Sequence, residues 1–599
     1  RPNLTLNLGV RYEYTGQPID DLTVETTARE SNAATAFWNP ALPITSRIVP
    51  RVPPDKNNFA PRVGFAYSPH FWKSFFGEDA TVIRGGYAIA YDPAFYNILL
   101  NVANSSPFSL SLAATTAQTP DTNPLLPMPS IFGQDIRNFA QSSGVLPIGK
   151  LDPRWLSQTQ VARNFHSPYS QQWSLGFQRS VGKNNVAEVR YVGNHGIGLF
   201  QSVLRNPFVG VPGSTSLGGL YGFNRNVCTQ LNSAGTQCIT QTSVVFPSFA
   251  AKIIPAGVTG LNCTDNTATL DNEAACLGRI LQAGPITDRE NTAISWYHSL
   301  QARYNGRFIN NSLNLGLAYT FSKTTDTASE IFTFSQENSI FPQNPFNYNE
   351  DYGISALHRP HIFSVNAIYD VPYFKEERGF LGHVLGGWQL NATHVYNTGR
   401  RYTPSQNLNA ASLNLGPSYL SGGESLRPFL GNPHAPQNTV AISQVDAFLF
   451  GRLPAAPGAT APVVTDVNGF ISLNDANNGV IRAVTPNDVR FIYNGPGAAR
   501  LFGSPYGNVP RYYLVGPPIN QMNFGVFKNT RVFERVNVQF RAEFFNVLNH
   551  PQPGYGVTRA NSLPNILLEN AGNAAGPFAD NSQINLARRR VQFGLRINF

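Results

Sequence analysis

The sequence is poor in charge and has no long hydrophobic run. Charged residues make up 13% of its 599 residues, about half the share of an ordinary soluble domain. It has no run of 18 or more apolar residues, the signature of a helical membrane span. If the chain crosses a bilayer, it must therefore do so as a closed β-sheet, because only helices and barrels satisfy all backbone polar groups in lipid.

What the sequence does contain favours folded β-structure. Hydrophobic residues make up 42% and aromatic residues 12% of the chain, so it can bury a large apolar surface and wholesale disorder is excluded. The 51 glycines and 45 prolines supply turn chemistry throughout. Low charge together with abundant turns points to membrane-facing strands.

The net charge of +9 raises the possibility of a nucleic-acid partner. A surface that tracks phosphates usually clusters its basic residues, however, and the only dense run here is Arg588, Arg589 and Arg590. The other basic residues are dispersed over strands and loops. We therefore interpret the charge as belonging to a lumen and its rim, and expect no nucleic-acid partner.

The four cysteines all lie in one long connector. They permit three pairings, and we favour the two sequential ones, Cys228 with Cys238 and Cys263 with Cys276, because each closes a short polar loop. A zinc site is the competing interpretation, but it would usually require a closer C-x(2-4)-C spacing. Disulfides would place the chain in an oxidising compartment such as the periplasm or the cell surface.

No motif in the sequence indicates catalysis. The GxSxG, HExxH, CxxC, P-loop and GxGxxG arrangements are all absent. His358 and His361 stand three residues apart at the entry to a predicted strand. We interpret them as structural rather than as metal ligands. The sequence therefore predicts no enzyme, no cofactor and no metal.

Alternation of apolar and polar residues with a period of two recurs in segments of about ten residues, the length that a tilted strand needs to cross a bilayer. The clearest segment is the last one. Its apolar face comprises Val591, Phe593, Leu595, Ile597 and Phe599, and its other face comprises Gln592, Gly594, Arg596 and Asn598. One face suits lipid and the other a wet lumen.

The same pattern predicts twelve strands. They span residues 3–16, 59–68, 80–91, 169–180, 185–200, 294–308, 312–322, 361–371, 387–399, 519–529, 534–547 and 588–599. Long connectors at 17–58, 92–168, 201–293, 323–360, 400–518 and 548–587 alternate with short turns that include 182–184, 309–311 and 529–533. Transmembrane barrels have long extracellular loops and short periplasmic turns. We therefore predict an all-β fold, a transmembrane antiparallel β-barrel.

The segments at the end of the chain carry a family resemblance. Residues 590–599, which close on Phe599, resemble the C-terminal signal recognised by the barrel assembly machinery. The segment NFGVFKNTRVFERVNVQFRAEFFNVLNHP at 523–551 resembles the penultimate hairpin of TonB-dependent receptors, and most closely their Oar-like branch. Further similar segments are YSQQWSLGFQRSV at 169–181, AEVRYVGNHG at 187–196, WYHSLQARYNGRF at 296–308, LGLAYTFSKTTD at 315–326 and HRPHIFSVNAIYDVPYF at 358–374.

This resemblance implies a 22-stranded barrel in the bacterial outer membrane, of which residues 1–599 would supply the last twelve strands. The N-terminal plug and a regulatory-like domain would then be missing from this partial barrel. The implied function is TonB-coupled import of a large solute such as a glycan, a peptide or a siderophore. The implied partners are the TonB complex through the missing plug, the barrel assembly machinery and outer-membrane lipid. A passive porin-like channel and a surface glycan-binding protein or adhesin remain alternatives.

The solute-binding prediction falls on the longest connector, 400–518. Arg400, Arg401 and Tyr402 stand where a strand leaves the membrane, so their donors and ring would face a solute that enters the mouth. The competing interpretation is that this connector only shields the barrel, because long loops also vary freely in sequence.

Overall fold

The computed structural model describes residues 3–14, 16–92, 96–109, 152–207, 222–253, 256, 284–329, 341–374, 377–399, 401–404, 427–516, 518–533, 536–550 and 588–599. Strands dominate these residues. They are β1 Leu4–Tyr12, β2 Phe59–Tyr67, β3 Thr81–Tyr91, β4 Gln158–Val161, β5 Tyr169–Val181, β6 Asn185–Leu204, β7 Phe223–Leu231, β8 Cys238–Phe246, β9 Ile286–Phe308, β10 Leu313–Asp326, β11 Gly353–Ile354, β12 His361–Asp370, β13 Trp388–Asn397, β14 Arg401–Tyr402, β15 Phe429–Leu430, β16 Val440–Ser443, β17 Phe470–Ser472, β18 Ala483–Val484, β19 Phe491–Ile492, β20 Leu514–Val515, β21 Ile519–Phe533, β22 Val536–Phe545 and β23 Arg590–Asn598.

The helices of the described residues are short. They are α1 Ile19–Glu30, α2 Ile44–Arg47, α3 Lys73–Phe76, α4 Tyr96–Ala103, α5 Ala250–Ile253, α6 Gly379–Leu385, α7 Gln444–Leu449, α8 Leu473–Ala476 and α9 Pro496–Phe502, with 3-10 turns at Pro153–Trp155, Tyr348–Asp351 and Pro486–Asp488. In the part of the chain that the structure describes, no helix is long and apolar enough to cross a membrane.

Twelve strands form one antiparallel meander, which we call the wall. Its order is β1-β2-β3-β5-β6-β9-β10-β12-β13-β21-β22-β23. These are the twelve predicted strands, so the predicted antiparallel all-β architecture is confirmed. Within the described residues β1 and β23 are the two edges of the wall, each paired on one side only. Two further strands join the wall at its loop end, the end that carries the long connectors: β4 runs parallel to β9, and β11 pairs with β10.

The wall strands differ from the prediction mainly at their ends. Strand β6 continues to residue 204 and β9 already begins at residue 286, so this pair projects beyond its neighbours. The projecting part of β6 is buried on both faces, as at Phe200 and Val203, and burial on both faces removes the alternation on which the prediction depended. The predicted turn at 529–533 is wrong, because β21 runs on to Phe533 through a bulge.

The polarity of the wall is inverted relative to a soluble protein. On β23 the apolar side chains that share one face are exposed, with Phe593 at 68% and Leu595 at 67%. On β1 the exposed fraction rises to 69% at Leu8 and 73% at Val10. Interior strands share this feature, with Leu175 of β5 at 55% and Leu300 of β9 at 51%, and together these side chains form a surface suited to lipid.

The short turns at the other end of the wall have tight backbones. Gly182, in the turn between β5 and β6, has a φ of +66°. The turn between β9 and β10 places Ile309, Asn310 and Asn311 at φ values of 53°, 53° and 67°. A positive φ is uncommon outside glycine, although asparagine tolerates it better than most residues. The predicted turns at 182–184 and 309–311 therefore lie where the sequence placed them.

The longest predicted loop, 400–518, is not a simple loop. It contains a five-stranded sheet of order β15-β19-β16-β17-β18, and the β7–β8 hairpin from the connector 201–293 packs against the same hydrophobic core. We call the hairpin together with residues 427–516 the cap. Its core includes Phe223, Val227, Val244, Phe246, Ile442, Val445, Ile471, Phe491, Tyr493 and Val509.

A second loop-end core lies beside the projecting part of β6. Helices α1 and α4 pack there against Val161, Phe165 and Phe200. Next to it, the fully buried Glu30 carboxylate accepts hydrogen bonds from the Arg29 side chain and the Phe37 backbone, at 2.9 and 3.0 Å, and pairs with Arg47 at 3.3 Å. The first connectors are thus folded onto the wall as well.

Candidate functional site

The predicted binding residues lie at the base of the cap. Arg401 and Tyr402 form β14, which pairs with Val515 and Leu514 of β20. Burial lowers the pKa of the half-buried Arg401 guanidinium. Arg400 lies outside the described residues. The pairing of β14 with β20 joins the two ends of the connector 400–518 at the loop end of the wall. A role of Arg400, Arg401 and Tyr402 in solute capture stays a prediction.

The hairpin of the cap carries a disulfide between Cys228 and Cys238. Cys228 is buried, and its carbonyl accepts a hydrogen bond from the Val464 backbone at 2.8 Å. The disulfide thus holds the part of the hairpin that is bonded to the rest of the cap. Cys263 and Cys276 lie outside the described residues, so their predicted pairing stays a prediction.

A cavity of about 520 Å³ opens where three connectors meet. Its volume lies within the range of about 300 to 1,000 Å³ that is usual for small-molecule sites. The residues that line it are Phe249, Lys252, Ile253, Gln343, Asn344, Glu350, Asp351, Tyr352, Gly353, Arg427, Gly503, Ser504, Pro505, Tyr506, Gly507, Asn508, Val509, Pro510 and Arg511. Arg401 is not among them. We therefore consider this cavity as a candidate site.

Arg427 and Asp351 both line the cavity and form an ion pair. The Arg427 Nη1 atom lies 2.7 Å from Asp351 Oδ1, and both side chains are over 90% buried. The Arg427 backbone N–H donates to Gln343 Oε1 at 2.8 Å, and the Gln343 amide donates to the Gly507 carbonyl at 2.9 Å. These bonds join the connector 323–360 to the cap.

A second buried pair lies next to the first. Arg511 Nη2 lies 3.2 Å from Asp326 Oδ1 at the end of β10, and Arg511 Nη1 donates to the Asp351 carbonyl at 2.9 Å. Burial alone would lower the pKa of the Arg511 guanidinium, but the neighbouring carboxylates outweigh it and raise that pKa. A buried charge is tolerated when it is paired and hydrogen-bonded in this way. Arg511 therefore anchors the cap to the wall.

Gly507 allows two segments that line the cavity to touch. A Cβ atom at this position would collide with the carbonyl oxygens of Arg427 and Pro428. The side-chain amide of Asn494 holds the same region together, since it donates to the carbonyls of Arg427 and Pro505 at 3.2 and 3.1 Å. Arg427 and Tyr506 are therefore brought to one side of the cavity.

The two histidines singled out in the sequence have structural partners. His358 Nδ1 accepts a hydrogen bond from the Thr324 backbone at 3.1 Å, and His361 Nδ1 bonds the Tyr319 hydroxyl at 2.8 Å. Burial lowers the pKa of His358 to about 4, with Arg401 and Arg359 adding to the effect. Among the described residues, no three His, Cys, Asp or Glu side chains come together in a way that could hold a metal ion.

Rings line the outward face of the wall near its loop end. His195 stacks on Trp296 at 3.6 Å between ring centroids, and Tyr191 hydrogen-bonds His298 at 2.7 Å. The indole of Trp173 lies over Gly193, where a Cβ atom would collide with it. Aromatic rings at this level are typical of the boundary between lipid and water.

Comparison with known proteins places these features in context. The sequence matches the family described as outer membrane beta barrel domain over residues 1–592. Similar solved structures include the outer membrane transporter YddB from Escherichia coli, at 9% identity and a TM-score of 0.34, with 83% of this chain and 38% of that chain covered. A mutant of the ferric enterobactin receptor of Pseudomonas aeruginosa shows 8% identity and a TM-score of 0.34, with 90% and 40% covered.

The FrpB iron transporter of Neisseria meningitidis is a third similar structure, at 9% identity and a TM-score of 0.30, with 90% of this chain and 39% of that chain covered. The chain thus spans about two fifths of the length of these structures. No curated protein matches the sequence.

Proposed function

The chain belongs to the outer membrane beta-barrel family and lies in the bacterial outer membrane, and from this premise we propose that it is a receptor and transporter that imports a large solute. In its full-length parent, import would be driven by the TonB complex acting on a plug, as in the Oar-like receptors that the sequence resembles. Residues 1–599 would form the C-terminal part of that barrel. The role is one of capture and transport rather than catalysis.

The observation that carries this proposal is the folded cap at the loop end of the wall. The cap has its own hydrophobic core, and a cavity of about 520 Å³ opens where the cap meets the connectors 201–293 and 323–360. A passive pore gains nothing from a structured ligand-sized cavity at its mouth, whereas a receptor needs one to capture its solute before transport. The cap therefore favours a receptor over a porin-like channel.

Two parts of the chain have separate roles in this proposal. The cap and the strand exit at Arg400, Arg401 and Tyr402 would capture the solute. The last strand, which ends in the fully exposed Phe599, would present the signal read by the barrel assembly machinery. The outward apolar face of the wall would contact outer-membrane lipid.

Removing the whole cap tests the proposal. Replacing both 404–513 and 224–245 by short Gly-Ser linkers in the full-length parent leaves the twelve wall strands in place. Deleting 410–510 alone is a poorer test, because it would strip the cover from the apolar side chains of the hairpin, such as Val227 and Phe246. We expect the barrel to assemble and the uptake of labelled siderophore, peptide or oligosaccharide to be lost.

The energy source separates the leading proposal from its alternatives. Uptake by the intact parent should stop in a host without TonB and after addition of a protonophore. Uptake that continues under both conditions would favour the porin-like channel. Tight surface binding of oligosaccharide with no uptake in any host would favour the glycan-binding protein or adhesin.

A further inference from the structure

Two connections at the turn end of the wall, the end opposite the long connectors, are longer than a tight turn. They span residues 68–80, between β2 and β3, and 371–387, between β12 and β13. Each contains a short helix, α3 in the first and α6 in the second. The turn at 182–184 shows that three residues are enough to join neighbouring wall strands at this end. The extra length of the two connections therefore needs another explanation.

Both connections expose large apolar side chains. In the first, Trp72 is 64% exposed, and in the second, Phe380 is 82% exposed. The full set of exposed apolar residues in the two connections is Phe71, Trp72, Phe75, Tyr373, Phe374, Phe380, Leu381, Val384 and Leu385. Such groups of apolar side chains mark surfaces that contact a partner or a membrane.

A cationic side chain on the outward face of the wall holds α3. Arg179 lies four residues beyond the exposed Leu175 in β5, and alternate residues of a strand share one face, so both point outward. The Arg179 guanidinium donates a hydrogen bond to the Phe75 carbonyl of α3. Thr81, which pairs with Arg179 across the sheet, donates through its hydroxyl to the Phe76 carbonyl at 2.6 Å. The helix is therefore fixed at the outward side of the wall.

Lys528 holds α6 in the same way. It pairs across the sheet with Phe540, an exposed apolar residue of the outward face, so Lys528 also points outward. Its ammonium group donates to the Gly386 carbonyl, directly after α6, at 2.6 Å. The indole of Trp388, which pairs with Lys528 in the sheet, donates to the Val384 carbonyl at 2.9 Å. Two helices of different sequence are thus held at the same rim by the same kind of bond.

Charged side chains beside the two helices form ion pairs. Lys73 of α3 lies 3.0 Å from Glu78, and Glu377, just before α6, lies 3.7 Å from Lys528. A paired charge costs less free energy to bring toward an apolar phase than an isolated one. These charges therefore do not keep the exposed apolar side chains of α3 and α6 away from lipid.

The spacing of the two helices favours a lipid surface over a protein partner. In wall order, β5, β6, β9 and β10 separate β3 from β12. Neighbouring strands lie about 4.8 Å apart, so the two helices stand on the order of 25 Å from each other along the rim. A lipid leaflet covers the whole outward rim at one depth, whereas a protein would need two separate contacts. Both helices also continue the outward apolar surface of the wall.

We propose that α3 and α6 are two anchors that lie in the periplasmic leaflet of the outer membrane, with their exposed apolar side chains inserted below the phospholipid headgroups. The turn end is the periplasmic end, because barrels have short periplasmic turns. Helices that lie in the plane of a leaflet bury their apolar face about 5 to 10 Å into the boundary between headgroups and acyl chains. The anchors fix the depth and tilt of the barrel. They depend on the outer-membrane location and not on solute import.

Quenching of tryptophan fluorescence by brominated lipid tests the proposal on the full-length parent in phosphatidylcholine vesicles. One lipid carries bromine near the headgroup end of its acyl chains, and another near the chain ends. The fluorescence that is lost in Trp72→Phe reports α3, and the fluorescence that is gained in Phe380→Trp reports α6. Both signals should lose more intensity to bromine near the headgroups than to bromine at the chain ends.

Ile239→Trp is the matched control. Ile239 is an exposed apolar residue like those of the anchors, but it lies in β8 of the cap. Its tryptophan should be quenched by neither lipid. Absence of quenching at α3 and α6 would overturn the proposal. Stronger quenching by bromine at the chain ends would also overturn it, because the helices would then not lie at the level of the headgroups.

Arg179→Met and Lys528→Met test how the anchors are held. Each variant removes the donor to one helix and keeps an unbranched side chain. Arg179→Met should weaken the quenching of α3 alone, and Lys528→Met that of α6 alone, so each variant is the control for the other. Unchanged quenching of both helices in both variants would overturn the holding role of the two cations.

A photocrosslinker at the second anchor distinguishes lipid from a protein partner in cells. Phe380→p-benzoylphenylalanine should form its adducts with phospholipid. A discrete protein adduct as the main product, absent when the same crosslinker replaces Ile239, would overturn the proposal in favour of a periplasmic protein.

Discussion

The wall and the cap place their apolar side chains in opposite ways. In the wall, Phe593 and Leu595 are 68% and 67% exposed, whereas in the cap Phe491 and Val509 are 0% exposed. The wall is organised by continuous ladders between neighbouring strands and turns its apolar side chains outward. The five-stranded sheet of the cap has short strands, and the cap as a whole buries its apolar side chains in a core. One chain therefore carries one region suited to lipid and another suited to water.

This contrast predicts different responses to the same kind of mutation. An outward phenylalanine of the wall faces lipid and not a protein core. Its replacement by alanine therefore leaves no cavity inside the protein, because lipid fills the space. A buried phenylalanine of the cap leaves a cavity behind. The following tests are ordered from the largest expected effect to the smallest.

Phe491→Ala should be the most damaging change. It should cost about 3 to 5 kcal/mol of cap stability, as expected for truncating a buried aromatic residue. Limited proteolysis should then cut within 427–516 while the wall stays protected in detergent. Phe593→Ala, on the outward face, is the matched control and should leave the cap resistant. Equal sensitivity of wall and cap would mean that they do not fold as separate regions.

Leu595→Arg tests the wall in the reverse sense. A charge directed toward mid-bilayer should cost about 2 to 4 kcal/mol, measured as the free energy of unfolding from lipid vesicles. Gln592→Arg on the opposite face should cost far less, because that face is polar. If the two changes cost the same, the assignment of the two faces of β23 is wrong.

Removing the disulfide should weaken the cap alone. Cys228 and Cys238 are 10 residues apart, and closing a loop of that size is worth about 2 to 3 kcal/mol in the chain-entropy view. The double variant Cys228→Ser, Cys238→Ser should therefore show faster hydrogen exchange in the hairpin and in residues 427–516. Exchange in β21 and β22 should stay as it is. Faster exchange throughout the wall would contradict the separation of the two regions.

Acid should act at the junction of the two regions through His358. Its pKa is lowered to about 4 in the folded chain, below the ordinary value of 6.5. The unfolded state therefore binds the proton more readily, so the stability from neutral His358 is present above pH 6.5 and is lost as the pH falls toward 4. The loss at pH 5.5 should be on the order of 1 kcal/mol.

Hydrogen exchange of the Thr324 amide, which donates a hydrogen bond to His358, measures this loss of stability between pH 7.5 and 5.5. The rates are corrected for the intrinsic effect of pH on exchange. His358→Asn keeps an acceptor but cannot titrate in this range, so it should flatten the pH dependence. The same pH dependence in parent and variant would assign the effect to another group.

The wall could be predicted from the sequence because a strand with one face in lipid and the other in water has alternating apolar and polar residues over about ten positions. The five-stranded sheet of the cap could not, because its strands are two to four residues long and the longest is buried on both faces, as at Ala441 and Ile442. Such short segments give no alternation to count.

The candidate site escaped prediction for a related reason. Asp351, Arg427 and Arg511 come from two connectors, and no local spacing relates them. The predicted residues Arg401 and Tyr402 lie in β14 at the base of the cap, away from the cavity lining. Only the tertiary packing of the connectors shows which arginines reach the cavity.

The hydrogen bond between the Val464 backbone and the Cys228 carbonyl should form late in assembly. The hairpin belongs to the connector before β9, and the five-stranded sheet to the connector after β13, so four wall strands separate the two halves of one core. Joining such distant segments carries a large closure entropy until the intervening strands are aligned. The mouth of this molecule should therefore close last, and until then the apolar halves of the cap should be exposed to any chaperone that escorts the chain.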